Sequence, residues 1–363
     1  MRTLLLLFLP LTLLATSIAL PGQERAIALF RSEAGFFLVV QEDLSKEVFL
    51  ILLDEALKVA EIRRMDGVKA ERINDAALFE EGLIVVGYSL RGPYHRSVYL
   101  CWFNADGKLL RQRTLDFPGA EAWAESLVHE RDALYVAGGY NTLTKGWFDA
   151  LLLRLDRNFD VAWYKTVGGL SDDWFHRVRF VGSNLLCVGS TESRGKGKGD
   201  MLICMFDRKG RKIFERTFGE RDWDKAIDAI EFDGKIHVLG WTTSYAPYRC
   251  GTLLQLSEKG KILNQQLLDL GSDFSPSGMA VVEDRLLVYG TLWQKETRFD
   301  PVILVLDRNG VLRNTKTVPL PNDQSIQGLL LWNEQILLYG ESDNPITGKD
   351  IYVIALETGS LSK

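Results

Sequence analysis

The sequence predicts an all-β fold, a seven-bladed β-propeller of four-stranded antiparallel blades, and three observations predict it. A glycine recurs at Gly87, Gly138, Gly189, Gly240, Gly290 and Gly340, at intervals of 51, 51, 51, 50 and 50 residues. Apolar residues stand two and four places before each of them. A turn-opening residue recurs seven times, at Asp54, Asn104, Asp156, Asp207, Ser257, Asp307 and Glu357. A unit of about fifty residues copied along a chain marks a propeller or a solenoid, because each copy buries its apolar face on the next.

The first strand of each unit is read from runs such as 76–79, 178–181 and 329–332. A tight polar turn follows, as in Glu80-Glu81-Gly82 and Asp233-Gly234, which suits a hairpin. The second strand carries the period-two pairs Leu83/Val85, Leu134/Val136, Leu185/Cys187, Ile236/Val238, Leu286/Val288 and Ile336/Leu338, with one face in a core. The third strand ends on the turn-opening residue, with glycine following at 107, 210, 260 and 310. Asp or Asn opening the turn and Gly at its left-handed position define a tight connection to a fourth strand, read at 161–165, 213–216 and 311–317. The first unit lacks the glycine and reads Phe37-Leu38-Val39-Val40-Gln41, so the turn openers count the units. The blades fall at roughly 24–67, 68–118, 119–169, 170–220, 221–271, 272–320 and 321–363. The last is too short for a full outer strand. Two closures are open: a blade with a stub edge, or an amino-terminal segment that completes the ring.

The segments Gly146-Trp147-Phe148-Asp149-Ala150-Leu151-Leu152-Leu153-Arg154-Leu155-Asp156 and Val161-Ala162-Trp163-Tyr164-Lys165-Thr166-Val167-Gly168-Gly169 resemble the secreted seven-bladed β-propeller repeat family of SBBP type. In that family an Asp opens the third strand and a Trp sits in the fourth. The Asp recurs at Asp149, Asp200, Asp300 and Asp350, whereas Glu47, Ser97 and Cys250 take its place elsewhere. The resemblance covers nearly all of the chain beyond the leader and is strongest from about 120 to 310. It implies export and a binding or scaffold role, and names no reaction.

The first nineteen residues read as a signal peptide: Arg2, an apolar run from Leu4 to Leu14, then small residues with a cut near Ser17-Ile18-Ala19. The run is short for a spanning helix, and no later stretch approaches eighteen apolar residues, so no transmembrane segment is expected after cleavage. Absence of a cysteine at the boundary argues against a bacterial lipid anchor. The expected protein is a single propeller domain over 20–363, secreted or periplasmic and in any case extracytoplasmic. With 43 basic and 48 acidic residues, a net charge of −5 provides no footprint for nucleic acid.

Short turns dominate one face of the expected ring, while connections of about ten residues gather on the other, where binding usually lives. These long loops hold Trp123, Trp174 and Trp223 before first strands, and Trp147, Trp241 and Trp293 after second strands, with Tyr140, Tyr245 and Tyr248 beside them. Such rings offer contact area to sugars or protein partners. Trp123 and Trp174 share one slot in the repeat, and a residue type repeated in register is more often packing between blades. At the channel mouth stand Asn74/Asp75, Glu125/Ser126, His176/Arg177 and Ile227/Asp228, with Asp172 and Asp173 close by. These groups suit either a polar ligand or a calcium ion, or else a solvated mouth.

Catalytic signatures are sparse. His95, His129, His176 and His237 include no pair at helical spacing with the glutamate of a zinc hydrolase. His176 is the one histidine at the channel mouth. Gly195-Lys196-Gly197-Lys198-Gly199 lacks the Ser or Thr and the following helix of a phosphate loop. Cys101, Cys187 and Cys204 fill apolar slots; Cys187 and Cys204 sit on neighbouring strands, where a bridge in an exported protein is an open alternative. The expected function is noncatalytic, contacting a carbohydrate or an envelope or extracellular protein through the long-loop face, with no cofactor. The alternative is a propeller enzyme, either a quinone-dependent dehydrogenase or a lyase or hydrolase acting at the channel mouth.

Overall fold

The computed structural model describes residues 14–20, 22–92, 95–117, 120–141, 147–320, 322–346 and 348–361. Residues 1–13 of the expected leader and Gly146 of the repeat motif lie outside them. The chain opens with β1 (Leu14–Ile18), then β2 (Gly22–Ser32), β3 (Gly35–Glu42), β4 (Val48–Leu53) and β5 (Val59–Arg64). Five four-stranded antiparallel meanders follow. The first holds β6 (Arg72–Phe79), β7 (Gly82–Leu90), β8 (Arg96–Asn104) and β9 (Leu109–Leu115), and the second β10 (Glu121–Glu130), β11 (Ala133–Asn141), β12 (Asp149–Asp156) and β13 (Val161–Val167). The third holds β14 (Asp173–Val181), β15 (Asn184–Thr191), β16 (Asp200–Phe206) and β17 (Lys212–Phe218), and the fourth β18 (Asp224–Phe232), β19 (Lys235–Thr242), β20 (Cys250–Leu256) and β21 (Ile262–Leu268). The fifth holds β22 (Phe274–Val282), β23 (Arg285–Gln294), β24 (Arg298–Leu306) and β25 (Leu312–Thr317). Last come β26 (Asp323–Trp332), β27 (Gln335–Asn344), β28 (Gly348–Glu357) and a single 3-10 turn, η1 (Thr358–Leu361). Among the described residues no helix is long and apolar enough to cross a membrane.

The remaining sheet has eight strands, in the order β26-β27-β28-β2-β3-β4-β5 with β1 also paired to β28. Among the described residues its two halves are joined where Gly22 faces Gly348 and Gln23 faces Lys349, in parallel. First strands β2, β6, β10, β14, β18, β22 and β26 each pack against the next, and β26 packs against β2, so the inner strands close into a ring. Third strands are covered on both faces: every residue of β16 and of β20 is buried, which is why Met201-Leu202-Ile203-Cys204-Met205-Phe206 reads as an unbroken apolar run. Outer strands such as β5 and β13 are mostly exposed. The core lies between neighbouring sheets, as where Tyr135 and Leu152 meet Phe175, Val178 and Leu202. Each such large side chain contributes roughly 1.5–3 kcal/mol on burial.

The recurring glycine has a steric cause. Every first strand is bulged at one place, for example between Phe175 and Arg177, and Gly189 lies opposite Phe175. A Cβ on Gly189 would stand 2.0 Å from the Trp174 carbonyl oxygen, and one on Gly87 1.8 Å from that of Arg72. The third-to-fourth turns form because Asp207 Oδ1 accepts the N–H groups of Lys209 and Arg211, both at 2.9 Å, a pattern repeated at Asp54, Asn104, Asp156 and Asp307. Gly210 closes that turn at φ 78°. Leu57 and Phe159 hold the same left-handed conformation without being glycine. Their side chains are buried in the core, which offsets the strain.

All four cysteines are free and buried. Cys187 and Cys204 face each other directly across β15 and β16 without a bond.

Candidate binding face and channel mouth

In an antiparallel meander the starts of first strands and the ends of second strands reach the same rim, so the residues singled out there are brought together. The connections on that rim are shorter than the sequence suggests. They range from eight residues at 192–199 down to three at 295–297, because strands such as β23 and β24 extend into the space assigned to loops.

Lys225, near the start of β18, organises three of the tryptophans. Its ammonium lies 4.9 Å from the ring centre of Trp174, 5.7 Å from Trp241 and 5.8 Å from Trp223. Burial lowers the affinity of Lys225 for its proton, Glu192 opposes that, and Arg249 adds to it. The negative ring faces offset part of the lost hydration. Arg249 itself lies 4.9 Å over Trp241. Burial and then Asp172 raise the Glu192 carboxyl, which accepts a hydrogen bond from Ser171 Oγ at 3.3 Å.

The other rings divide by environment. Trp147 is 67% exposed, Tyr245 46% and Trp293 41%, so these three offer surface. Tyr248 is half-buried, and its hydroxyl donates to Asp269 at 3.1 Å. Trp123 is only 6% exposed, set edge-on to Phe148 and capped by Arg96 at 4.1 Å. Its indole N–H donates to Glu125 at 2.7 Å, as that of Trp174 donates to His176 Nε2 at 2.9 Å. The slot shared by the two tryptophans thus has one structural role: each ties a first strand to its own bulge residue. Burial raises the Glu125 carboxyl and pushes His176 down to about 3, where the ring is neutral and can accept that bond.

At the channel the charges pair with one another. Arg179 donates from Nε and Nη2 to the two carboxylate oxygens of Asp228, at 3.0 and 3.1 Å. Asp228 also accepts the N–H of Ala229 at 2.9 Å and of Met279 at 3.2 Å. Burial by itself would raise this carboxyl; Arg179 and Arg177 outweigh it and hold the group below the usual carboxylate range. Arg177 lies 3.8 Å from both Asp75 and Asp228, which links β6, β14 and β18 across the axis. Asp75 accepts the N–H of Leu127 at 3.0 Å. The Tyr289 and Tyr339 hydroxyls stand where a Cβ on Gly278 or Gly328 would lie, 2.3 and 2.1 Å away.

Asp172 and Asp173 do not form a pair aimed at one point. Asp172 accepts the Phe148 N–H at 3.1 Å, whereas Asp173 is buried and accepts from Gly169 N–H at 2.9 Å and Ser193 Oγ at 2.6 Å. Asp224 repeats this clip with Glu220 and Ser244. Among the described residues no group of three or more His, Cys, Asp or Glu is assembled that could hold a metal ion. Sequence reasoning missed Lys225, Arg179, Arg249, Tyr289 and Tyr339. Lys225 and Arg179 act between the sheets of β14 and β18, whereas Tyr289 and Tyr339 fill the space left by the paired glycines Gly278 and Gly328 of their own sheets.

No family model matches the chain. An uncharacterized protein of Aquifex aeolicus (strain VF5) is 24% identical over 179 residues, 49% of this chain and 48% of that protein, so the match spans about half of each. Among solved structures, the β-propeller domain of the Trilobed protease from Pyrococcus furiosus superposes with a TM-score of 0.52 at 10% identity, covering 93% of this chain and 96% of that one. Pyrococcus horikoshii acylaminoacyl peptidase gives 0.52 at 10% identity, covering 91% of this chain and 51% of that one. Likeness at this identity speaks for the fold alone. The chain is an all-β propeller.

Proposed function

We propose that this protein is an exported, noncatalytic propeller of seven blades that binds a carbohydrate or an envelope or extracellular protein through the rim carrying Trp174, Trp223 and Trp241. The blade count follows from treating the eight-stranded sheet as two units, since the parallel contact between its halves is two residue pairs long. The SBBP-type repeat reading is supported by the role of its Asp: Asp200 accepts the N–H groups of Lys196 and Gly197, at 2.9 and 3.2 Å, and Asp350 the amide of Asn344 at 2.7 Å. The motif thus serves the loop between second and third strands.

The observation that carries the binding reading is the Lys225 ammonium among three indoles, with exposed Trp147, Tyr245 and Trp293 on the same rim. Flat rings stack on the apolar faces of sugars or on protein side chains, while a partly dehydrated amine supplies one directional donor. The enzyme alternative needs polar groups free at the channel mouth, and the partners of His176, Asp75 and Asp228 favour binding over it. Glycan arrays and envelope-protein panels test this reading. Trp241→Ala and Trp293→Ala each weaken the ligand found by about tenfold or more, the loss expected of an aromatic anchor. Binding unchanged in both variants, or no ligand in either panel, refutes the reading.

A further inference from the structure

Residues 14–18 fall inside the stretch that reads as a removable leader, yet they form a strand of the ring. β1 runs antiparallel to β28, from Leu14 opposite Ala355 to Ile18 opposite Ile351. Ile18 is 4% exposed and shares a core with Val353, Leu38 and Phe36. Thr16 Oγ1 donates to the Leu57 carbonyl at 2.6 Å, tying the strand to the next unit as well.

The register is that of every other outer strand. Ile18 faces Ile351 as Val167 faces Ala150, Phe218 faces Met201 and Leu268 faces Gly251. Ile18 also stands as far before Glu24 on β2 as Val167 stands before Asp173 and Val318 before Gln324. The sequence keeps the pattern too: Thr16-Ser17-Ile18 occupies the place of Lys165-Thr166-Val167 and Lys316-Thr317-Val318. These residues therefore satisfy the repeat as well as the leader pattern. A cut after Ala19 would leave Ile351–Ala355 of β28 as an unpaired edge, open to any strand that can add to it.

We propose that Leu14–Ile18 is a permanent part of the mature protein, the outer strand of its last blade, and that processing of the chain falls upstream of Leu14. Leu14 faces Ala355, at the short-turn end of β28 and away from the aromatic rim.

The full chain is produced in a bacterial host, and the amino terminus of the material outside the cytoplasmic membrane is read by sequencing and intact mass. A terminus at or before Leu14 is expected, and one at Leu20 overturns the proposal. In parallel, melting of the full chain is compared with that of its Ile18→Asp variant and of a chain beginning at Leu20. Both are expected to melt lower by about 5 °C or more, and a synthetic peptide of residues 12–20 is expected to restore the shorter chain. Equal melting of all three, with no response to the peptide, overturns it. Where the shorter chain fails to fold, Ile18→Asp in the full chain decides by the same criterion.

Discussion

Glu24 is fully buried on β2, beside Glu42 and near Asp350. Burial pushes its carboxyl up from 4.5 to about 7, and both acids push the same way. The unfolded chain then releases this proton first. Its contribution to stability is whole below pH 4.5 and is lost as the pH rises through 7. Glu24→Gln is therefore expected to melt above the parent at pH 8 and level with it at pH 4, a comparison that thermal unfolding in matched buffers makes directly. Nothing in the sequence singles out Glu24, since Asp350 belongs to the opposite end of the chain. The tryptophans were more legible. Recurrence of Trp123 and Trp174 in one slot admits a packing role, and both indole N–H groups close bulges.

Hairpins were legible because a half-buried strand writes its period of two directly into the chain, and because turn chemistry is local: Asp207 needs only its own next four residues. Strand ends were not. Extension of β23 and β24 beyond their apolar cores depends on pairing between Gln294 and Arg298, which no periodicity announces. The anchor glycine tests the account of the hairpin. Gly189→Ala forces the Trp174 carbonyl to move and is expected to cost about 1–3 kcal/mol, as overpacking does. A lower denaturation midpoint with unchanged slope checks it. Val40 fills this place in the first unit, and nothing in the structure explains how β3 accommodates it.

At the scale of the ring, Arg177, Arg179, Asp75 and Asp228 join the first strands of three sheets, and the Asp75–Arg177 contact skips the sheet between them in the chain. Asp228→Ala removes the carboxylate that takes both Arg179 hydrogen bonds and is expected to destabilise the protein by about 3 kcal/mol, the lower end for a broken buried pair. The value is low because 40% of the Arg179 side chain still reaches water. Adding Arg179→Met to that variant recovers part of the loss, as a double-mutant cycle by denaturant unfolding would show.

The sequence by itself determined the repeat, its hairpins and its turn openers, because those rest on contacts between residues close in the chain. Only the tertiary structure decided which tryptophans are exposed, that Lys225 sits among three of them, that the channel charges neutralise one another, and that Leu14–Ile18 pairs with β28. Each of these is a contact between units or between the two ends of the chain, and a copied unit carries no record of what its neighbours place against it.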